Sequence, residues 1–334
     1  MPITLAQAAI NTQNDIDFAV IDNLRRTSWL MDQIVFDDTV SPGTGGGTMT
    51  YGYTRLTAAA TAGFRALNTE YTPGQAKRDR FTVDLKPLGG AFTLDRVLAN
   101  LGPAQTNELN FQLQQLLISI KIRFQQEVIL GDTAVDANGF DGLSKSLTGT
   151  STEQTTSTDW TPATVNTQLL AQQELDKLDE LLSRIVPSTV GGGDVGAPGA
   201  LPTGVKAILG NTKSIFQLKR LARWASMATS EMDSMGRKID MYGDWVLVNI
   251  GDRQDGSGPI IPINGSGQTD LYAVTFGLDS FHGASLGGAP LLRTAMPDFT
   301  KAGAVQSGDV EMGPVAMCLR NTKSAAVFRT IKVQ

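Results

Sequence analysis

The stretch Thr106-Asn107-Glu108-Leu109-Asn110-Phe111-Gln112-Leu113-Gln114-Gln115-Leu116-Leu117-Ile118-Ser119-Ile120-Lys121-Ile122-Arg123-Phe124-Gln125-Gln126-Glu127-Val128-Ile129-Leu130 decides how the rest of the chain is read. Leu109, Leu113, Leu116, Leu117, Ile120, Phe124 and Val128 recur at intervals of three and four, which lines one face of an α-helix with apolar side chains. At about 1.5 Å per residue such a helix is over ~35 Å long, the length of a whole lobe. It predicts a spine on which other elements pack. Gly131 follows the last apolar residue and predicts a left-handed C-cap.

Upstream of the spine the period changes from helical to alternating. Thr48 to Arg55 reads as a strand with Tyr51 and Tyr53 on one face, and Arg80 to Lys86 as a second through Phe81, Val83 and Leu85. The connection from Ala58 to Arg78, with a turn expected at Pro73-Gly74, makes the pair a protruding hairpin-like loop. Before it, Asn14 to Ile34 places Ile16, Val20, Leu24, Met31 and Ile34 at helical intervals, and the run Ser41 to Gly47 ends that helix.

Downstream, a Ser/Thr-rich stretch from Ser144 to Thr161 precedes a second helix from Val165 to Val186, closed by Pro187. The segment from Gly191 to Pro202 reads as a flexible link. Asn211 is a good N-cap for a third helix carrying Ile215, Leu218, Leu221, Ala222 and Ala225 toward a core. Strands follow at Trp245 to Ile250, Leu271 to Phe276, Pro290 to Arg293, Val315 to Leu319 and Ala325 to Val333. The order predicts an α+β chain with helices laid on antiparallel or mixed sheets. Asn211-Thr212-Lys213-Ser214 and Asn321-Thr322-Lys323-Ser324 match by chance, since one opens a helix and the other joins strands.

Composition narrows the function. The 334 residues allow about two lobes. With one cysteine, Cys318, and one histidine, His282, there is neither a disulfide framework nor a Cys/His metal site. The formal net charge of -5 gives no basic footprint for gripping phosphates, which points away from a tight sequence-specific nucleic-acid binder. Charged residues are 18% of the chain and glycines number 35, a balance that suits a surface partly covered by neighbours. Met1 to Leu5 shows no basic leader, and no apolar run is long enough for a bilayer, so the sequence predicts a protein made in a reducing cytoplasm.

The motifs that could carry chemistry fail on their own terms. Gly283-Ala284-Ser285-Leu286-Gly287 matches the nucleophile elbow of serine hydrolases in form, but that fold places its histidine after the serine and His282 precedes it. A glycine-rich loop is the plainer reading, with His282 satisfied by local hydrogen bonds in a turn. Asp132 to Gly139 faintly resembles a calcium loop, yet Ala134 stands at the second ligand position and Lys145 where the closing glutamate belongs. Gly45-Gly46-Gly47 and Gly191-Gly192-Gly193 lack the Lys-Ser/Thr of a P-loop. Asp176, Asp179 and Glu180 lie on a solvated helix face with ion pairs expected between Glu174 and Lys177 and between Glu180 and Arg184, and Glu231 with Asp233 forms a smaller acidic group. Lys219, Arg220 and Arg223 beside Trp224 make one compact basic patch, small for a nucleic-acid site and read as a subunit-contact or plain surface feature. The sequence therefore predicts no catalytic, cofactor-binding or metal-binding residue and no enzyme.

The order of segments resembles the major capsid proteins of tailed double-stranded-DNA bacteriophages of the Hong Kong 97 type. Ile21-Asp22-Asn23-Leu24-Arg25-Arg26-Thr27-Ser28-Trp29-Leu30-Met31 is similar to that family's helix before the extended loop, and Tyr51-Gly52-Tyr53-Thr54-Arg55 to the loop's first strand. Glu127-Val128-Ile129-Leu130-Gly131-Asp132 with Phe140-Asp141-Gly142-Leu143 resembles the spine-helix exit and its return turn. Ile208-Leu209-Gly210-Asn211-Thr212 looks like the strand-to-helix step of the axial lobe. Tyr272-Ala273-Val274-Thr275-Phe276-Gly277 and Ala325-Ala326-Val327-Phe328-Arg329 resemble late strands.

The resemblance implies an N-terminal arm and helix over residues 1–46, an extended loop over 47–92, a peripheral domain with the spine helix over 93–144 and 311–334, and an axial domain mainly over 145–310. It implies a structural subunit that self-assembles as hexamers and pentamers into an icosahedral head enclosing double-stranded DNA, located in the virion and assembled in the host bacterial cytoplasm. The implied partners are further copies of itself, a separate scaffolding protein, a portal, decoration proteins and packaged DNA contacted non-specifically, with no membrane. Some members of the family cross-link a loop lysine to a neighbour's asparagine; Lys77 lies in the corresponding loop, but no asparagine or glutamate partner is assignable and no cross-link is expected. Two rivals stand beside this reading: an encapsulin-like nanocompartment shell protein, which shares the fold, and a serine hydrolase built on Ser285.

Overall fold

The computed structural model describes residues 29–40, 48–99, 108–155, 157–185, 204–227, 230–232, 238–287 and 291–334. Most of the expected N-terminal helix, the glycine run at 41–47 and the link at 191–202 lie outside the described residues. The helix end that is described, α1 (Trp29–Gln33), buries Leu30 completely. A strand absent from the sequence reading, β1 (Phe36–Val40), follows it. The expected hairpin is present as β2 (Thr50–Ala58) and β3 (Lys77–Asp84), antiparallel from Thr50 opposite Asp84 to Ala58 opposite Lys77.

The strand β4 (Lys86–Asp95) and the short α2 (Arg96–Ala99) lead into the spine helix α3 (Glu108–Leu130). Its expected stripe is at work, since Ile120, Phe124 and Val128 are buried and Leu113, Leu116 and Leu117 pack against the same core. Ile122 and Ile129 are buried as well, so the second half of the helix is covered on more than one face. Gly131 lies outside the positive-φ residues, which corrects the expected left-handed cap. Its glycine has another cause: a Cβ there would lie 2.2 Å from the Phe140 carbonyl oxygen, so the returning chain passes too close for any side chain.

Beyond the spine come α4 (Leu143–Leu147), β5 (Glu153–Gln154) and β6 (Thr158–Asp159), all within the stretch read only as Ser/Thr-rich. The second long helix, α5 (Gln168–Ser183), starts where the Thr167 hydroxyl accepts from the Leu170 N–H at 3.3 Å. Then follow β7 (Lys206–Gly210) and α6 (Thr212–Trp224), capped as expected by Asn211, which accepts from the Ser214 N–H at 2.9 Å. The Asn321 repeat of that tetrapeptide also caps a helical turn, with its side chain accepting from the Lys323 N–H at 3.0 Å. The remaining strands are β8 (Ser230–Met232), β9 (Lys238–Tyr242), β10 (Trp245–Asn249), β11 (Gln268–Thr275), β12 (Phe281–Leu286), β13 (Leu292–Ala295), β14 (Val305–Leu319) and β15 (Ala325–Lys332).

Two mixed sheets organise these strands. The first runs β1-β12-β14-β13, with β4 also paired to β14; the second runs β5-β15-β11-β7-β10-β9-β8, with β6 also paired to β15. The fifteen-residue β14 serves three neighbours, β13 through Met312, β12 from Val315 onward, and β4 on both sides of that step. Its register shifts between those points at Gly313-Pro314, where a proline is tolerated because the ladder is already interrupted.

The core divides along the second sheet. Leu209, Tyr272, Val274 and Val327 face the cluster that holds the spine, while Ile208, Leu271, Ala273, Ala326 and Phe328 face a second cluster beneath α5 and α6. Strands covered on both faces read as continuous apolar runs, which is how Leu271 to Phe276 and Ala325 to Phe328 stand in the sequence. Arg329 ties the sheet to the spine exit by hydrogen bonds to Asp270 at 3.1 Å and the Ser144 carbonyl at 3.0 Å, together with an ion pair to Glu153.

Candidate functional site

The element whose two ends differ most in surroundings is the β2–β3 hairpin. Alternation along β2 puts Tyr51, Tyr53 and Arg55 on one side, and that side closes onto the first sheet. The Tyr51 hydroxyl donates to Asp37 Oδ2 on β1 at 2.9 Å and lies 3.3 Å from His282 Nε2 on β12. The rings of Tyr51 and His282 meet edge to face, with centroids 5.7 Å apart. Arg55 donates from Nε to the Arg320 carbonyl at 2.9 Å and from Nη2 to the Tyr53 hydroxyl at 3.0 Å and to the Leu319 carbonyl. Its guanidinium also lies over the Phe81 ring, 4.4 Å from the centroid. The root is thus bolted to the end of β14 by side chains of β2, with Phe81 of β3 stacked against them.

Electrostatics support the same bolt. Burial raises the Tyr51 phenol above its ordinary range, and the Asp37 carboxylate it serves raises it further, so it stays a donor. Burial pushes Asp37 upward, but hydrogen bonds from Thr39 and Tyr51 outweigh this and leave its carboxyl below the usual value. His282 is held below its ordinary pKa by burial, with Asp37 acting in the opposite sense. A neutral imidazole fits the site.

The far end of the hairpin has the opposite character. Phe64 and Leu67 are wholly exposed and Tyr71 is largely so. The chain reverses at residues 66–69, where the Thr69 N–H reaches the Ala66 carbonyl at 3.3 Å and Asn68 takes a φ of 67°. The turn expected at Pro73-Gly74 is therefore misplaced. Gly74 belongs to the returning arm, pressed so closely on Thr61 that a Cβ would lie 2.0 Å from its hydroxyl. Arg65, over the Tyr71 ring at 5.2 Å, braces the tip internally.

The other residues singled out by sequence fall into place one by one. Gly283 to Leu286 belong to β12, so the glycine-rich loop and the turn around His282 are both corrected. Gly283 is there because the Phe36 ring would lie 2.5 Å from a Cβ, and Gly287 because the Asp38 carbonyl oxygen would lie equally near at 2.5 Å. Both glycines let β1 lie beside β12. His282 in β12, fully buried and opposite Cys318, reaches across the fold to the Tyr51 hydroxyl. Ser285 is three residues on, so it points to the opposite face of the strand and the two cannot form a nucleophile–base pair.

Asp132 is bonded to the Ala134 N–H and to the Lys145 ammonium, both at 2.9 Å, so a lysine sits where a cation-binding loop would need a carboxylate. Glu174–Lys177 and Glu180–Arg184 form the expected ion pairs, each at 2.6 Å, and Asp179 accepts from the Tyr242 hydroxyl at 2.8 Å. In the basic patch, Lys219 pairs with Asp240 and Arg220 donates to the Trp160 carbonyl, leaving Arg223 without an acidic partner among the described residues. Burial pushes the Cys318 thiol up to about 12, far from nucleophilic use. Lys77 is exposed at the end of β3. Asp37 and Arg320 were missed by sequence, whereas Arg55 was legible as the third residue on the Tyr51–Tyr53 face. Among the described residues no His, Cys, Asp or Glu cluster is placed to hold a metal ion, and no helix is long and apolar enough to cross a membrane.

A spine helix on one mixed sheet, a second sheet with its own helices and a projecting hairpin rooted on the first make up the fold of shell-forming subunits. It is the Hong Kong 97-type capsid fold. The chain is similar to the SrpI encapsulin complex from Synechococcus elongatus, with a TM-score of 0.63 and 12% identity over 99% of this chain and 97% of that one. It is similar to the capsid of a native GTA particle, with a TM-score of 0.57 and 10% identity over 98% of this chain and 97% of that one. The capsid of Myoviridae phage XM1 matches with a TM-score of 0.57 and 12% identity over 98% of each chain. No protein-family model and no curated protein matches the sequence.

Proposed function

We propose that this chain is the major capsid protein of a tailed double-stranded-DNA phage, a structural subunit rather than an enzyme. The observation that carries the reading is the hairpin: a long two-stranded arm, fastened at its root by Arg55 and Tyr51, that holds Phe64 and Leu67 in water. Apolar side chains held out on a braced arm need a surface to cover them, and in a closed shell a neighbouring copy supplies it. In this reading hexamers and pentamers close an icosahedral head around DNA, with residues 93–144 and 311–334 as the peripheral lobe and mainly 145–310 as the axial lobe, β12 and β13 lending strands to the spine-helix sheet and β15 to the sheet beneath α5 and α6. A portal, a separate scaffolding protein and decoration proteins complete the partners, the DNA is contacted non-specifically, and assembly takes place in the host cytoplasm before the subunit resides in the virion.

The second reading is a compartment shell of the encapsulin type, favoured by the higher TM-score of that neighbour. Electron microscopy of the full chain, expressed with and without a candidate scaffolding protein, tests both. Closed particles of uniform diameter are expected. Particles that fill with DNA in an infected host support the phage head, and particles that load a co-expressed protein instead support the compartment. A chain that stays monomeric under every condition defeats both.

A further inference from the structure

Two helices of the second core lie side by side, each with one face buried and one in solvent. Helix α5 packs over β15 and α6 over β7 and β10. Their exposed faces are chemically opposite. On α6 the sequence supplies Lys213, Lys219, Arg220 and Arg223 with no acidic residue, and on α5 it supplies Glu174, Asp176, Asp179 and Glu180 against Lys177.

Much of this charge is used within the chain, which identifies what remains. Lys219 and Arg220 bond to Asp240 and the Trp160 carbonyl, and Asp179 bonds to Tyr242. Exposed Lys213 and Arg223 on α6, and exposed Asp176 on α5, pair with no opposite charge among the described residues, and Glu180 has only the surface pair with Arg184. Apolar groups accompany them. Phe216, Trp224 and Met227 stand 56%, 42% and 43% exposed around the basic residues, and Leu169 on α5 is 64% exposed. An isolated helix face has no use for a phenyl ring and an indole in water, and aromatic residues mixed with arginine are the composition of buried contact patches.

We infer that the basic, aromatic flank of α6 in one copy docks on the acidic flank of α5 in the next copy, a head-to-tail contact that closes the ring of the shell. The inference rests on the shell reading and names its intra-ring contact. Because the two patches differ, the contact is heterologous, and rotation repeated from copy to copy generates a closed ring. Charge complementarity of this kind sets partner and register more than raw affinity.

The test uses the full chain and two charge reversals at exposed sites: Lys213→Glu with Arg223→Glu, and Asp176→Lys with Glu180→Lys. Melting temperatures close to that of the parent chain establish that both variants fold. Each reversal alone is expected to lower the yield of assembled particles about tenfold, and both reversals in one chain are expected to restore it. Co-expression of the two single reversals gives a sharper readout. Alternating the two chains satisfies every contact in a ring of six but leaves one like-charged contact in a ring of five, so six-fold sheets or tubes should replace closed shells. If the parent chain assembles and both reversals assemble equally well, the contact is wrong and the shell reading survives. Failure of the combined variant to recover also overturns the contact, and a parent chain that never assembles defeats the shell reading together with it.

Discussion

At the root of the β2–β3 hairpin Tyr51 and Tyr53 are 6% and 8% exposed, while at its tip Phe64 and Leu67 stand at 109% and 91%. Two strands run from the root as far as Ala58 and Lys77, their ladder continuous but for a shift near Leu56, and residues 59–76 carry the chain on to the tip without a ladder. At the root, side chains of β1 and β12 meet Tyr51, and the backbone carbonyls of Leu319 and Arg320 accept from Tyr53 and Arg55. At the tip, a cation–aromatic contact, the Ala66–Thr69 turn and hydrogen bonds from Arg65 and Thr69 to nearby carbonyls hold the chain, and Phe64 and Leu67 have no intrachain cover. The root is packed into the chain's own core, and the tip is not.

That division breaks most visibly in the core under the root. Phe124 of the spine is fully buried, and its ring centroid lies 6.1 Å from that of Phe36 on β1 and 5.9 Å from that of Phe140 after the spine exit. Phe124→Ala removes a ring on which the strand bearing Asp37 is seated. Urea unfolding of the subunit should show a loss of about 3–5 kcal/mol, the usual cost of emptying an aromatic site in a packed core. A loss under ~1 kcal/mol would mean that the spine does not support the root.

The root itself should respond to acid, to a smaller extent. His282 faces Asp37 and Tyr51 across the strands, with Cys318, Arg320 and Asp279 as the other titratable or charged groups acting on its surroundings. Its folded pKa lies below the ordinary 6.5, so between the two values the unfolded chain takes up a proton that the folded chain refuses. Its contribution is complete above pH 6.5 and is lost as pH falls toward the folded value. Asp37, with its carboxyl below 3.8, acts in the same direction but only at lower pH, its contribution being full above 3.8. Melting temperature should thus fall from pH 6.5 downward in the parent chain. In His282→Gln the decline should begin only where carboxylates titrate, and an unchanged profile would remove the histidine from the bolt.

What the sequence disclosed and what it hid have one physical origin. The spine, α6 with its Asn211 cap, and the tyrosine-bearing strand were legible because burial on one face leaves a period in the residues. Among the strands that went unread, β4, β12 and the first half of β14 contain Gly89, Gly90, Gly283 and Gly308. In each the glycine answers a close approach from outside the strand: Leu116 of the spine would lie 2.6 Å from a Cβ at Gly90, and the Phe92 ring 2.8 Å from one at Gly308. A glycine placed by a neighbour distant in sequence looks in isolation like a loop. The polar contacts of the root were hidden for the same reason, since Tyr51 and His282 are 231 residues apart.

The smallest effect on the subunit should come from the tip, where the comparison is sharpest. Phe64→Ser with Leu67→Ser changes two side chains that contribute no buried apolar surface, so unfolding free energy should move by no more than ~0.5 kcal/mol, as for exposed sites in general. The Arg65–Tyr71 brace and the Ala66–Thr69 turn remain, because neither uses the substituted side chains. Assembly should nevertheless suffer, since the surface removed is the one that a neighbouring copy would cover. Light scattering and negative-stain microscopy of the variant beside the parent read this directly. A variant that melts like the parent but no longer forms particles separates the tip's role from the root's; one that assembles normally would leave the exposed rings without a function in the shell, and one that melts early would erase the distinction between the two ends.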